Sequence, residues 1–339
     1  MPGLRIAILA YEGCLASELF GFRDVLALAD MFAELRKAPR IETEVVTVKG
    51  KMVATSGGER FRGVNADMAR YDMIVVPGFL FSNPLTIGTR MAMLKEEIAE
   101  LRAAVKRKRH VASICVGAYV LGAAGLLDGR RVTTAWLLAD HLAGLHPRAR
   151  VEPQNLIVED GPITTTGAFT AAHDLALRLI ETYQSPKVAR DTRAIALIDG
   201  ARSGQAPFID RALMPPRSET FSDRVAAWLT KHMAQPYSLE AVASAVGTSE
   251  RTLLRRFKLD RGETPLGFLQ SVRIDRSKAM LAQTELSIAE IGTRVGYADV
   301  GAFRALFQRL IGMPPGAYRR RFKMVARPAV RPRHPRPAA

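Results

Sequence analysis

Short apolar runs alternate with helix-like periodicities along the first half of the chain. Four apolar runs predict strands, at Leu4–Ala10, Ile41–Val48, Tyr71–Pro77 and Val111–Ile114. Apolar residues recurring every three or four positions predict helices over Ser17–Phe32, Met91–Lys106 and Ala118–Leu127. Strands that alternate with helices predict a flavodoxin-like α/β domain, in which a parallel sheet carries helices on both faces. Ligands of such sheets bind beyond the carboxyl ends of the strands.

The second half contains an internal repeat. The segments from Ser238 and from Ser287 each hold a helical pattern, a glycine and a second helical pattern. Corresponding positions lie 49 residues apart up to the glycine and 50 apart after it: Val242 with Ile291, Gly247 with Gly296, Phe257 with Phe307, Gly262 with Gly312, Pro265 with Pro315, and Phe268 with Tyr318. This pattern predicts an all-α domain with two helix-turn-helix units.

The second helix of the first copy is predicted to read DNA. Positions at helical spacing that should face the core are Leu253, Leu254 and Phe257. The opposite face, which a recognition helix offers to the major groove, carries Arg251, Thr252 and Arg255. Arginine bonds guanine bidentately and threonine contacts the thymine methyl group, whereas Arg256 and Lys258 flank this face and suit phosphates. The alternative is an ordinary solvated basic face.

The second copy offers fewer base-reading groups. Phe303 and Phe307 should pack inward, and the outward positions are Gly301, Ala302, Ala305 and Arg309. We expect apolar and backbone contacts around Ala302, with phosphate contacts from Arg304, Gln308 and Arg309. Between the copies, one helix is predicted over Pro265–Gln283, with a length of about 28 Å. That length is close to the roughly 34 Å repeat of the duplex, so one chain would address two successive major grooves.

Charge supports this division into two parts. The formal net charge is +16, and Pro216–Ala339 holds 22 Lys/Arg against 10 Asp/Glu, a net of +12. Strongly basic segments commonly bind polyanions. Two cysteines form no disulfide framework and indicate a reducing compartment. Because the start lacks a signal peptide and the apolar stretch Val111–Leu127 is short for a bilayer, we expect a cytoplasmic protein that does not bind membranes.

One cysteine follows a predicted strand directly. The small residues Ser113 and Gly117 lie two positions before and after Cys115, between the strand and the next helix, which is the pattern of a nucleophile elbow. The helix N-terminus is expected to lower the pKa of the thiol. A buried, inert cysteine is the alternative reading.

Residues 4 to 182 resemble the PfpI/class I glutamine-amidotransferase-like superfamily. The resemblance rests on the VVPG turn, SICVGAYVLGAAGLLDGRRVTTAW around Cys115, and VEDGPITTTGAFTAAHDLALRLIE. It implies that Glu18 is the acidic partner of the cysteine. The Thr-His-Trp usual in the subgroup fused to regulators is Thr134-Ala135-Trp136 here, and the remaining histidines, His141, His146 and His173, lie at positions that the resemblance does not nominate.

Without a positioned base, a thiol enzyme loses its activation, so we predict no catalytic residue, cofactor or metal. A small molecule is expected to bind in the crevice instead. The residues placed around it are Glu18, Gly78, Phe79, Cys115, Trp136, Thr166 and Gly167.

Residues 221 to 322 resemble the AraC/XylS family of transcription regulators through the doubled motif, the GYAD turn and the closing GMPPGAYRRRF. Members often carry Arg where this chain has Ala305. A PfpI-like sensor joined to this domain is the arrangement of the GlxA-type regulators. The resemblance implies a homodimer that binds double-stranded promoter DNA, works with RNA polymerase and responds to an amino acid or a quaternary amine.

The predicted domains are a sensor over residues 1–184, a linker with one helix over 185–219, a DNA-binding domain over 220–323 and a disordered basic tail over 324–339. The linker helix is predicted at Val188–Asp199, and the best boundary is Pro215-Pro216. The favoured function is a transcription regulator that acts as an activator. A thiol-dependent amidase or hydrolase tethered to DNA is the alternative, and a sequence-indifferent architectural protein is a third reading.

Overall fold

The computed structural model describes residues 3–65, 67–80, 86–200, 202, 204–210, 213 and 220–323. The chain divides into a first unit, Met1–Ile209, and a second unit, Asp210–Ala339. The strands are β1 Leu4–Leu9, β2 Ile41–Thr47, β3 Met52–Ala54, β4 Arg60–Arg62, β5 Val64–Asn65, β6 Met73–Val76, β7 His110–Ser113, β8 Arg131–Val132, β9 Arg150–Val151, β10 Ile157–Asp160 and β11 Ile163–Thr166.

The helices alternate with these strands in the first unit and make up the second. They are α1 Phe22–Leu35, α2 Ile87–Met93, α3 Lys95–Lys106, α4 Ala118–Ala123, α5 Ala139–Leu145, α6 Ala171–Tyr183, α7 Pro186–Ile195, α8 Phe221–Lys231, α9 Leu239–Ala245, α10 Glu250–Arg261, α11 Pro265–Gln283, α12 Ile288–Arg294, α13 Val300–Ile311 and α14 Pro315–Phe322. Within the described ranges, no helix has both the length and the apolar character needed to cross a bilayer.

The main sheet has the order β10-β11-β7-β6-β1-β2-β5. Its pairings are parallel except at one edge, where β10 runs antiparallel to β11. The five strands β2-β1-β6-β7-β11 have the order of a flavodoxin-like sheet. The predicted α/β fold is therefore confirmed, with a mixed rather than wholly parallel sheet.

Helices cover both faces of this sheet. All four residues of β6 are buried, and successive side chains of a strand point to opposite faces. Helices α1, α6 and α7 pack together, and α2, α3 and α4 form a second group. One hydrophobic cluster runs through the first unit.

Three helices predicted within the sensor domain differ in their limits. The helix predicted over Ser17–Phe32 begins with a π-helical turn, Ser17–Gly21, before α1. The helix predicted over Met91–Lys106 is two helices, α2 and α3, which meet at the buried Leu94. The helix predicted to reach Leu127 ends at Ala123, because Gly125 adopts a left-handed conformation and closes the helix with its N–H.

Helix α7 is the linker helix predicted at Val188–Asp199, but it spans Pro186–Ile195 and belongs to the first unit. Ser185 caps it by accepting from the N–H of Val188, and Val188 and Ala189 are buried in the first unit's cluster. The predicted boundary at Pro215-Pro216 and the predicted tail over 324–339 lie outside the described residues.

The second unit contains two hydrophobic clusters joined by α11. Helices α8, α9 and α10 form the first cluster around Phe257, and α12, α13 and α14 form the second around Phe303 and Phe307. Helix α11 contributes Phe268 to the first cluster and Leu281 to the second. Its limits are those predicted, because Thr264 caps the N-terminus and Pro265 occupies the first helical position.

Candidate ligand and nucleic-acid sites

The carboxyl ends of four parallel strands bring predicted site residues together. Glu18 follows β1, Gly78 follows β6, Cys115 follows β7, and Gly167 follows β11. A side chain on Gly78 would place its Cβ 3.2 Å from both Glu18 Oε2 and Cys115 Cβ. The carboxyl group and the cysteine therefore both border Gly78.

Glu18 is the buried acid of this site. Its side chain is 1% exposed because the π-helical turn carries it inward, and Oε2 accepts from the N–H of Gly78 at 2.6 Å. Burial raises the pKa of Glu18 to about 7, while the bond from Gly78 opposes that rise. Its other oxygen, Oε1, is buried without a hydrogen-bond partner within the described residues.

The backbone at Cys115 has the geometry of an elbow. Its φ is +54°, a left-handed conformation that is strained for a residue with a side chain. Its N–H donates to Gly167 O at 3.0 Å, and its carbonyl accepts from Thr134 Oγ1 at 2.9 Å. A Cβ on Gly117 would lie 2.5 Å from Val76 O and 2.7 Å from Pro77 O, so only glycine fits there.

The thiol of Cys115 is not activated in this structure. Burial raises its pKa to about 12, and the charge of Glu18 adds to the rise. The prediction that the helix N-terminus lowers the thiol pKa is therefore wrong. The side chain is 8% exposed, and desolvation raises the thiol pKa by more than the N-terminus of a short helix lowers it.

The three histidines considered as possible bases, His141, His146 and His173, have other contacts. His141 Nδ1 lies 2.9 Å from Tyr119 Oη, and the ring of His146 packs where a side chain on Gly122 would stand. Burial lowers the pKa of His146. His173 Nε2 is 3.6 Å from the Cβ position of Gly21. Among the described residues, no histidine hydrogen bonds to the thiol of Cys115.

The remaining predicted ligand residues differ in their placement. Phe79 is buried, and the guanidinium of Arg90 lies 5.1 Å above its ring. Thr166 is buried at the end of β11, with its hydroxyl unpartnered within the described residues. Trp136 is half-buried in a 3₁₀ turn, and no described contact joins it to Cys115.

Sequence reasoning missed Gln205, whose side chain holds this edge of the sheet together. Its Nε2 donates toward the carbonyl oxygens of Thr134 and Pro153, both at 2.9 Å, and its Oε1 accepts from Ala168 N at 2.9 Å. These bonds connect Gln205 to the backbone partners of Cys115, which are Thr134 and Gly167, the residue before Ala168. No local sequence pattern indicates this role, because the hydrogen-bond partners of Gln205 lie 37 to 72 residues away along the chain.

A separate cavity of about 490 Å³ lies beside β10 and α6. Four arginines line it together with apolar residues of β10 and α6: Arg131, Arg178, Arg193 and Arg202. Its residues come from distant segments, so the sequence did not predict it. Within the described residues, no His, Cys, Asp and Glu side chains are grouped as a metal site would require.

The first helix-turn-helix presents a basic recognition helix. Gly247 turns the chain with a φ of +67°, and Ser249 caps α10 by accepting from the N–H of Thr252. Arg251 and Arg255 are exposed, and Thr252 is half-buried. A surface groove of about 830 Å³ is lined by Thr252, Arg255, Arg256, Lys258 and Leu259.

Two details of α10 change the predicted picture. Leu254 is 38% exposed, so the prediction that it faces the core is wrong, since Leu253 and Phe257 alone fill that side. The guanidinium of Arg256 lies 4.5 Å above the ring of Phe221, which holds it at the flank of the helix. Leu259 is 83% exposed on the outward face and was not predicted.

The second helix-turn-helix follows the predicted pattern. Gly296 turns the chain with a φ of +91°, and Asp299 caps α13 by accepting from the N–H groups of Gly301 and Ala302. Phe303 and Phe307 are buried. The predicted outward residues are all exposed: Gly301, Ala302, Arg304, Ala305, Gln308 and Arg309.

An α/β unit followed by two helix-turn-helix units defines a class of DNA-binding regulators. Comparison with known families agrees. The DJ-1/PfpI family model matches residues 5–182, more than half of the sequence, and a helix-turn-helix domain model matches residues 242–321. The chain belongs to the DJ-1/PfpI family, and it carries an AraC-type helix-turn-helix domain, as the sequence predicted.

Its relatives include several regulators. It is similar to the HTH-type transcriptional regulator CdhR of Pseudomonas aeruginosa, with 27% identity over 86% of this chain and 87% of CdhR. The regulator GlxA of Rhizobium meliloti is 31% identical over 62% of this chain and 65% of GlxA. The chain spans 62% of the length of a further relative, the regulator GbdR of Pseudomonas aeruginosa. An enzyme, isonitrile hydratase of Pseudomonas putida, is 29% identical over 60% of this chain and 91% of the enzyme.

Proposed function

We propose that the protein is a sequence-specific, DNA-binding transcription regulator that acts as an activator in the cytoplasm. The exposed arginines of α10, beside a groove on a capped recognition helix, carry this proposal. The regulators among its relatives support it. A homodimer that recruits RNA polymerase at a promoter would fit the family arrangement.

Replacing Arg255 with Ala is expected to relax base preference at one operator position. A bidentate arginine–guanine contact contributes about 1–3 kcal/mol of discrimination, so preference there should fall about 5- to 150-fold. Operators selected from a random duplex library with the wild-type chain supply the DNA, and affinities for single-base variants supply the measurement.

Arg309→Ala is the matched control on α13, expected to weaken binding to all sequences alike. Arg251→Ala should behave like Arg255→Ala. If only changes at Ala302 or Arg309 relax base preference, the assignment of α10 as the reading helix is wrong.

The first unit is proposed to bind a small effector at the strand ends. The proposed contacts are Glu18, Gly78, Phe79, Cys115, Trp136, Thr166 and Gly167. Glu18 Oε1 and Thr166 Oγ1 are buried oxygens without described partners, which supports a polar ligand that forms hydrogen bonds to them. An amino acid meets that requirement, and a quaternary amine would pair with ionised Glu18. A thermal-shift screen of such compounds on the full chain tests this proposal.

The second candidate is a thiol-dependent amidase or hydrolase tethered to DNA. The strained elbow at Cys115 beside Glu18 favours it, as does the similarity to isonitrile hydratase. The raised pKa of the thiol opposes it, because the thiolate is the nucleophile.

The Cys115→Ala variant separates these functions. If the protein is a regulator, the Cys115→Ala variant should bind the selected operator within about twofold of wild type, because the elbow belongs to the first unit. The thermal shift that the effector causes should be smaller in this variant. If the protein is an enzyme, the wild-type chain should turn over amides or nitriles, and the Cys115→Ala variant should not. Cys14→Ala, which changes the other buried cysteine, is the control.

A further inference from the structure

Arg273 is a buried charge in the middle of α11. It is 6% exposed and lies between the two hydrophobic clusters of the second unit. Among the described residues, no carboxylate forms an ion pair with it. A buried guanidinium is costly unless other groups replace its water, so its partners indicate its role.

Those partners come from both helix-turn-helix halves. Arg273 Nε donates to Met233 O at 2.7 Å and Nη2 donates to Gln235 O at 2.6 Å, in the loop after α8. Its guanidinium lies 5.1 Å above the ring of Tyr297, in the turn before α13. One planar group therefore joins the loop of the first half to the turn of the second.

The turn glycine shows how closely the two halves approach. A Cβ on Gly296 would lie 2.8 Å from both Arg273 Nη2 and Met233 O, and 3.0 Å from Ala234 O. The left-handed turn of the second half thus packs against the backbone of the first, with the guanidinium between them. Arg273→Lys would keep the positive charge but lose the planar guanidinium, whose N–H groups donate to two carbonyl oxygens at once.

We propose that Arg273 is a positioning residue, which fixes the orientation of α13 relative to α10. It would thereby set the spacing of the two DNA half-sites that one chain binds together. The second statement rests on the proposed function, whereas the first concerns the second unit alone. Helix α11 sets the separation of the halves, and Arg273 sets the angle between them.

Distances between spin labels test the orientation without DNA. Labels at Ser244→Cys on α9 and Ala289→Cys on α12 use exposed positions outside the DNA-facing helices. Cys14 and Cys115 are buried with the pKa of each thiol raised to about 11 and about 12, so they should label slowly. The wild-type chain should give one narrow distance distribution, and Arg273→Ala a broad one. Arg276→Ala, an exposed arginine on the same helix, should leave it narrow.

Arg273→Lys and Tyr297→Leu should also broaden the distribution, and they keep the test decisive if Arg273→Ala fails to fold. On DNA selected with the wild-type chain, Arg273→Ala should lose about tenfold in affinity for the paired half-sites and little for a single one. A narrow distribution in all three variants, or an equal loss on a single half-site, would overturn the proposal. If the wild-type chain binds no DNA, the proposed function fails, and the label distances still decide the orientation.

Discussion

Raising the salt concentration from 50 to 200 mM is expected to weaken binding of one chain to duplex DNA about a hundredfold. Four cations are assigned to phosphates: Arg256 and Lys258 on α10, and Arg304 and Arg309 on α13. Each neutralised phosphate releases counterions and contributes about −0.9 to the slope of log affinity against log salt. Four contacts give a slope of about −3.6, so a fourfold rise in salt costs about two orders of magnitude. A dimer on two sites would have twice this slope.

Titration of a labelled operator at five salt concentrations measures that slope. Lys258→Gln should make it shallower by about 0.9 while base preference stays unchanged, because a phosphate contact carries no sequence information. Lys231→Gln, at an exposed position at the end of α8 and outside both recognition helices, is the matched control and should keep the wild-type slope. A wild-type affinity that hardly changes with salt would exclude nucleic acid as the partner.

The helical domain could be predicted in detail because its signals are local. Gly262 and Gly312 end α10 and α13 in left-handed conformations, with each N–H donating four residues back. Those glycines, the turn glycines and the buried phenylalanines recur at nearly constant spacing. Thr264 and Pro265 likewise mark the start of α11 in the sequence itself.

The alternation of strands and helices predicted the α/β fold, but the chemistry at the edge of the sheet could not be predicted from it. The position of Cys115 after a strand predicted an elbow, whereas the pKa of its thiol depends on how completely the fold buries it. The N-terminus of the adjacent helix therefore predicted a pKa shift of the Cys115 thiol in the wrong direction, because desolvation by distant segments of the chain is the larger effect.

Long-range polar contacts were also beyond prediction. Arg273 bonds residues about 40 positions earlier, and Gln205 bonds residues up to 72 positions earlier. The hydrogen-bond partners of these two residues do not recur at a regular spacing in the sequence. An arginine on a basic helix and a glutamine in a loop are also common, so neither residue indicates its role. These two side chains nevertheless join separate parts of their units, so they connect the recognisable motifs to one another.

The stability of the first unit is expected to fall as pH rises through the range in which Glu18 ionises. Its pKa in the folded chain is about 7, raised from an ordinary value of 4.5 by burial. The folded state therefore holds this proton more tightly than the unfolded state does, and the unfolding free energy decreases between about pH 4.5 and pH 7. At about 1.4 kcal/mol per pKa unit, the loss amounts to about 3 kcal/mol and remains in place above pH 7.

Glu18→Gln isolates this contribution from the other titrating groups. The amide oxygen still accepts the N–H of Gly78, but the side chain no longer ionises. The nearby Cys14 and Cys115 do not titrate in this range, because burial raises the pKa of these thiols to about 11 and about 12.

Urea unfolding of the full chain at pH 5, 6, 7 and 8 provides the measurement. The difference in unfolding free energy between Glu18→Gln and wild type should grow in favour of the variant by about 2.5 kcal/mol between pH 5 and pH 8, because part of the loss has already occurred at pH 5. Glu34→Gln, at an exposed carboxylate on α1, should parallel wild type. If Glu18→Gln also parallels wild type, Glu18 is already ionised in the folded chain at pH 5. The crevice would then present a fixed negative charge, and a cationic amine would become the expected effector rather than a neutral hydrogen-bond donor.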